Sequence, residues 1–85
     1  MDEGVLLFSV TGDKGVRVRG QCTLERANGI ETTDIEGNVP LERQLRGHGL
    51  RCVLHADGRV LVEASKDGSR TRAATNGGQV TINLR

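Results

Sequence analysis

Turn-forming residues recur at short intervals along the chain, and this spacing limits the fold more than any other feature. Each turn signal contains at least one glycine, and successive signals begin 9 to 15 residues apart. They are GDKG (12–15), ANG (27–29), EGN (36–38), GHG (47–49), ADGR (56–59), KDGS (66–69) and NGG (76–78). Short segments bounded in this way are typical of strands in meanders and Greek keys. The sequence therefore predicts an all-β protein.

Between the turns, residues i and i+2 are alike in polarity, as they are in a strand that buries one of its faces. The best supported of these segments are 16–24, 50–54, 60–64, 71–75 and 80–84. We predict one domain over residues 1–85, folded as a small antiparallel β-sandwich of about seven strands. A closed β-barrel is the alternative.

Some segments allow more specific predictions. The apolar run VLLFSV (5–10) suits a strand covered on both faces, or a strand at one end of a sandwich. Residues 38–47 fit an edge strand, because Pro40 is tolerated at an edge, or else a short helix that ends at Gly47. We favour the strand. In residues 30–36 the two isoleucines have opposite parity, which predicts a bulge or a break.

The dipeptide Asp-Gly occurs twice between alternating segments and tolerates the positive φ angles of a type I′ turn. Asp57-Gly58 therefore predicts a hairpin over residues 50–65, and Asp67-Gly68 extends it to a three-strand meander that ends at residue 75. Gly20 lies inside a strand segment, where glycine marks a bulge or a close approach of another backbone.

The two cysteines of the chain, Cys22 and Cys52, both fall on the apolar parity of their strands. An 85-residue chain with one aromatic residue builds a small core, which a covalent link would stabilise. We predict a disulfide between them. Two unlinked buried thiols in a reducing compartment are the alternative.

The predicted disulfide favours a secreted or periplasmic protein, and a cytoplasmic location stays open. The N-terminal residues lack the basic and long apolar regions of a signal peptide. Two interpretations remain: an intracellular protein, or a mature domain from which the signal was removed. The longest apolar run has four residues (5–8), far fewer than the ~20 of a membrane-spanning helix.

No catalytic, metal or cofactor motif is evident, so we predict a non-enzyme without cofactors. Cys52 and His55 are three residues apart, which places them on opposite faces of a strand. Neither histidine has a partner at metal-ligand spacing, and no glycine-rich phosphate motif occurs. The acidic residues between 31 and 38 do not have the spacing of an EF-hand.

Arginines on the outward parity of several strands are the feature most closely tied to function. If these strands were neighbours in one sheet, six guanidinium groups would share a surface suited to carboxylates or phosphates. The candidates are Arg17, Arg19, Arg51, Arg59, Arg70 and Arg72. The alternative is ordinary solubilising charge, paired across strands with residues such as Glu25 and Glu63.

These observations predict a binding module for an acidic protein or an anionic polymer. Nucleic acid is a poor candidate partner, because Phe8 is the only aromatic residue and single-strand binding uses aromatic stacking. The alternative function is structural: a small sandwich that assembles into oligomers through a strand edge.

Overall fold

The computed structural model of the protein describes residues 4–84, which form eight β-strands. In chain order these are β1 (Gly4–Gly12), β2 (Arg17–Arg26), β3 (Gly29–Asn38), β4 (Leu41–Gly47), β5 (Gly49–Ala56), β6 (Val60–Lys66), β7 (Ser69–Thr75) and β8 (Gly78–Leu84).

The strands form two four-stranded sheets that pack face to face. Sheet A has the order β4-β1-β6-β7 and sheet B the order β3-β2-β5-β8, and every pairing is antiparallel. The two sheets do not join into a barrel. The predicted β-sandwich is therefore confirmed, with eight strands where the sequence predicted about seven.

Alternate residues of most strands fill the space between the sheets. The largest of these side chains are Phe8, Leu6, Ile35 and Leu54, all at most 2% exposed. Cys22 and Cys52 lie directly opposite each other on the neighbouring strands β2 and β5, and they form a disulfide in the core. The predicted disulfide is thus present, and it links two strands of the same sheet.

The two segments for which the sequence left the local structure open, 30–36 and 38–47, both form strands. Residues 41–47 form β4 at the edge of sheet A, preceded by a cis peptide bond between Val39 and Pro40. The expected bulge or break in residues 30–36 is wrong, because β3 pairs with β2 residue by residue. Ile30 faces solvent near the β2–β3 turn, so its opposite parity to Ile35 needs no irregularity.

The predicted hairpin over residues 50–65 is wrong. β5 lies in sheet B and β6 in sheet A, so the segment between them crosses the sandwich. The N–H of Asp57 donates to the carbonyl of Arg17, and the carbonyl of Arg59 accepts from the N–H of Asp13. These bonds tie the segment to the β1–β2 connection. Only the β6–β7 part of the expected meander forms, through Asp67-Gly68.

The apolar run of β1 is covered on one face only. Its inward residues, Leu6, Phe8 and Val10, are buried, whereas Leu7 is 56% exposed and Val5 is 37% exposed. The expectation that both faces would be covered is therefore wrong, because no element lies over the outer face of sheet A within residues 4–84. In the same part of the chain there is no helix of the length and apolarity needed to cross a membrane.

Candidate functional site

The six candidate arginines do not share one surface. Arg17, Arg19 and Arg51 project from sheet B, whereas Arg70 and Arg72 belong to β7 of sheet A. Because the outer faces of the two sheets point in opposite directions, the condition for a six-arginine surface is not met.

Arg59 lies in the connection between β5 and β6 and belongs to neither sheet. Its guanidinium Nη2 is 3.3 Å from Oδ1 of Asp13, in the connection between β1 and β2. This exposed ion pair links two loops at one end of the sandwich, so the sixth candidate arginine lies outside both groups of strand arginines.

The outer face of sheet B carries balanced charge. Arg17 donates to Glu36 across the β2–β3 pair, and Gln21 donates to Asp34 at 3.2 Å in the same ladder. Three exposed carboxylates (Glu25, Asp34 and Glu36) stand on this face against its three arginines. A balanced and partly paired surface is weakly attractive to an anionic partner.

The outer face of sheet A has a different arrangement, because its centre is apolar. The register places Leu7 of β1 in one cross-strand row with Gln44, Ser65 and Arg70. Ser9 lies in the next row with Glu42, Glu63 and Arg72. An exposed leucine is therefore flanked by a hydroxyl group and by guanidinium groups on the edge strand.

Two adjoining depressions mark this face. One, of about 500 Å³, is lined by residues of β1, β4, β6 and β7, and the other, of about 350 Å³, extends over the β6–β7 turn. Leu7, Ser65 and Arg70 line both of them. We call the surface formed by Val5, Leu7, Ser65, Arg70 and Arg72 the leucine–arginine face.

The arginines of the leucine–arginine face are available to a ligand. Neither Arg70 nor Arg72 forms an ion pair with another residue in the range 4–84, although Glu63 is the register neighbour of Arg72. Arg46, on β4 at the opposite edge of the sheet, adds a third exposed guanidinium. Glu42 and Glu63 are the carboxylates on this outer face.

The side chains of the two faces provide hydrogen bonding, charge and apolar contact. Cys52 is buried in a disulfide and His55 is exposed on the other face of β5, as the odd spacing predicted. In residues 4–84 no group of three or more histidine, cysteine or acidic side chains could hold a metal ion.

The leucine–arginine face was only half predicted from the sequence. Arg70 and Arg72 were identified from their outward parity, whereas Val5, Leu7 and Ser65 were missed. The alternation of buried and exposed positions in β1 was hidden because both faces of the strand carry apolar residues. The four-residue apolar run at 5–8 supplies apolar side chains to both faces of β1, whereas the core of an 85-residue chain is small. This excess of apolar side chains is the signal that could have suggested an exposed apolar face.

Comparisons with known proteins give no information about this site. No protein-family model, curated protein or solved structure matches this chain at a significant level.

Proposed function

We propose that the protein is a non-catalytic binding module whose leucine–arginine face binds an acidic segment of another protein. The observation that carries this proposal is the 56% exposure of Leu7 in the middle of a central strand. Central strands of a sandwich normally expose polar side chains on their outer face. A leucine in that position favours contact with a partner, which would remove it from water.

The surroundings of Leu7 favour a partner with carboxylate groups. Arginine forms two parallel hydrogen bonds to a carboxylate, and Arg70 and Arg72 have no intramolecular partner among the described residues that would compete. An apolar centre with arginine at its border is also the usual composition of protein–protein interfaces. An acidic segment with one apolar side chain would match both features.

A nucleic acid is a poorer match to the same face. Phe8 is 1% exposed, so it cannot stack on a base. The exposed Leu7 at the centre of the face has no apolar counterpart in a phosphate backbone. A protein segment with an apolar side chain among its carboxylates can cover it.

The first test is retention on immobilised poly-L-glutamate in a salt gradient. We expect the protein to be retained at low salt and to elute as salt rises, because screening weakens contacts between exposed charges. The double variant Arg70→Ala/Arg72→Ala should lose about tenfold in affinity. The matched control Arg17→Ala/Arg19→Ala removes the same charge from sheet B and should bind almost as well as the original protein.

Several outcomes would contradict this assignment. Flow-through of the unaltered protein at low salt would show that the arginines do not bind carboxylates. Equal losses in the two double variants would show that only net charge matters. Stronger retention on single-stranded DNA through the same arginines would favour nucleic acid as the partner.

The role of Leu7 is tested with a peptide in which glutamate and leucine alternate. Leu7→Ser should weaken binding of this peptide at least about tenfold, since a buried leucine side chain contributes ~1.5–3 kcal/mol. The same variant should bind poly-L-glutamate as before. An unchanged affinity for the mixed peptide would remove the apolar contact from the proposal.

We further propose that the module works in an oxidising compartment, outside the cell or in a periplasm. The Cys22–Cys52 disulfide supports this location, because structural disulfides persist where thiols are not kept reduced. Alkylation of the denatured protein, after its native cells have been quenched with acid to stop thiol exchange, should modify neither cysteine. Modification of both would contradict the proposed location.

A further inference from the structure

We infer that two copies of the protein associate through the edge strand β8, which pairs antiparallel with β8 of the second copy and joins the two B sheets into one sheet of eight strands. The contact is an edge of sheet B, so it is independent of the proposed function, which uses the outer face of sheet A. It gives the predicted alternative of assembly through a strand edge a specific interface and a specific partner.

Strand β8 has a free backbone edge. It lies at the end of sheet B, and within residues 4–84 it pairs only with β5. The register with β5 is continuous from Gly78 to Leu84 and contains no bulge. No further backbone hydrogen bond involves residues 78–84 in the described part of the chain. One side of β8 therefore presents a regular row of unpaired peptide groups.

The sequence of β8 contains none of the features that usually protect such an edge. Natural proteins block free edges with charged side chains, prolines, bulges or charges that point inward. Strand β8 reads GQVTINL, without a charged residue or a proline. Its β-branched residues Val80, Thr81 and Ile82 favour the extended conformation. An edge of this kind pairs readily with another strand.

Each of the other three edge strands within residues 4–84 carries a protecting feature. Strand β3 has three carboxylates and no basic residue, and β7 has two arginines and no carboxylate. Either strand would therefore bring like charges towards those of its own copy. In β4, Arg43 has inward parity, and its guanidinium donates to the carbonyl of Glu42 on the same strand. This contrast favours β8 as the edge that accepts a second copy.

The length of β8 selects the register of the pair. In an antiparallel pair of identical strands, a two-fold axis perpendicular to the sheet places one residue opposite itself. With Thr81 at the axis, all seven residues of the strand are paired. An axis at Val80 or Ile82 would pair only residues 78–82 or 80–84. The longest overlap therefore places Thr81 opposite Thr81 of the second copy.

The neighbours in this register are compatible on both faces of the sheet. On the outer face, Thr81 faces its own copy and Gln79 faces Asn83, pairs whose side chains can form hydrogen bonds across the strands. These three side chains are exposed, and none of them has a hydrogen-bond partner of its own within residues 4–84. On the inner face, buried Val80 lies opposite buried Ile82. The apolar layer of one copy then continues into that of the other.

The contact is short, and it is confined to sheet B. Strand β7 of sheet A packs beside β8, so the two copies of β7 approach each other, and Arg72 opposes their pairing. Interfaces of small area are weak, and we expect a dissociation constant on the order of 100 μM. A two-fold contact uses the same edge of both copies, so the association ends at two chains.

The unaltered protein provides the first test. At about 0.15 M salt, sedimentation equilibrium should give a mass that rises from the 9.1 kDa of one chain towards twice that value between about 10 μM and 1 mM protein. Amide hydrogen exchange then identifies the strand. Alternate amides of residues 78–84 should exchange more slowly at the higher concentration, whereas the amides of β3 should exchange at the same rate at both.

Charged substitutions at the axis test the register. Thr81→Lys and Thr81→Glu should each raise the dissociation constant at least about fivefold, because each places two like charges opposite each other. An equimolar mixture of the two variants should regain association, since opposite charges then meet in the mixed dimer. The matched controls are Thr23→Lys and Thr23→Glu, on the outer face of the interior strand β2. They should leave association unchanged.

Each other result would overturn the inference. A mass of one chain at every concentration would exclude the dimer. A dimer whose β8 amides are not protected would use another surface. Equal losses in the Thr81 and Thr23 variants would show that only net charge matters, and a mixture that fails to regain association would exclude the two-fold register. Circular dichroism of each variant would verify that the sandwich is folded.

Discussion

Gly20 shows how a single residue controls the distance between two strands. A Cβ at this position would lie 2.1 Å from the carbonyl oxygen of Val53 and 2.7 Å from the Cα of Leu54. Both atoms belong to the backbone of β5, so they cannot move aside as a flexible side chain can. The close approach predicted from the sequence is confirmed, and it occurs without a bulge. Two residues further, Cys22 and Cys52 have a Cα–Cα distance of 4.0 Å.

We expect Gly20→Ala to destabilise the protein by about 1–3 kcal/mol, the usual cost of forcing extra atoms into a packed interior. Urea unfolding followed by circular dichroism measures this change. The control is Gly37→Ala, where the nearest atom is the methyl group Cδ1 of Leu41 at 3.1 Å, which can move. Unfolding midpoints that fall equally in both variants would show that the approach of β2 and β5 has no special requirement for glycine.

At the scale of elements, the two Asp-Gly turns show where local sequence stops being informative. Asp67 and Gly68 both have positive φ, at 45° and 85°, and they close the β6–β7 hairpin as a type I′ turn requires. Asp57 and Gly58 have the same sequence but form a crossing between sheets. The segment 57–59 instead forms hydrogen bonds with Arg17 and Asp13, which lie at least 40 residues earlier in the chain.

The candidate site likewise has a part that local sequence predicts and a part that depends on long-range contacts. Alternation within a strand gives the outward parity of Arg70 and Arg72, because that parity depends on the strand alone. Which strands are neighbours depends on contacts across the sandwich, so the sequence could not separate these arginines from Arg17 and Arg19. The exposure of Leu7 likewise depends on what covers sheet A. This information is absent from the strand itself.

At the scale of the whole molecule, the fold class and the disulfide were predictable for one reason. Both depend on which residues face inward, and the alternating pattern records this for β2 and β5. Inward parity brought Cys22 and Cys52 into the same layer, and the register then placed them opposite each other. Strand order was not predictable, since many orders bury the same residues.

The disulfide should contribute much of the stability of this small sandwich. It joins residues 30 apart, and the chain-entropy model gives a stabilisation of roughly 3–4 kcal/mol for a loop of this size. For a domain of 60–100 residues, 1 kcal/mol corresponds to ~4–8 °C in Tm. We therefore expect reduction to lower the Tm by about 15–30 °C, as measured by calorimetry with and without reductant.

The control for this measurement is the double variant Cys22→Ala/Cys52→Ala, whose Tm should be low and independent of reductant. Because both cysteines are fully buried, thiol titration must show that the reductant has opened the bond. Equal Tm values for the oxidised and the fully reduced protein would contradict a stabilising role. In that case the hydrophobic contacts between the sheets would hold β2 against β5 without help, and the disulfide would be a consequence of their approach instead of a cause of stability.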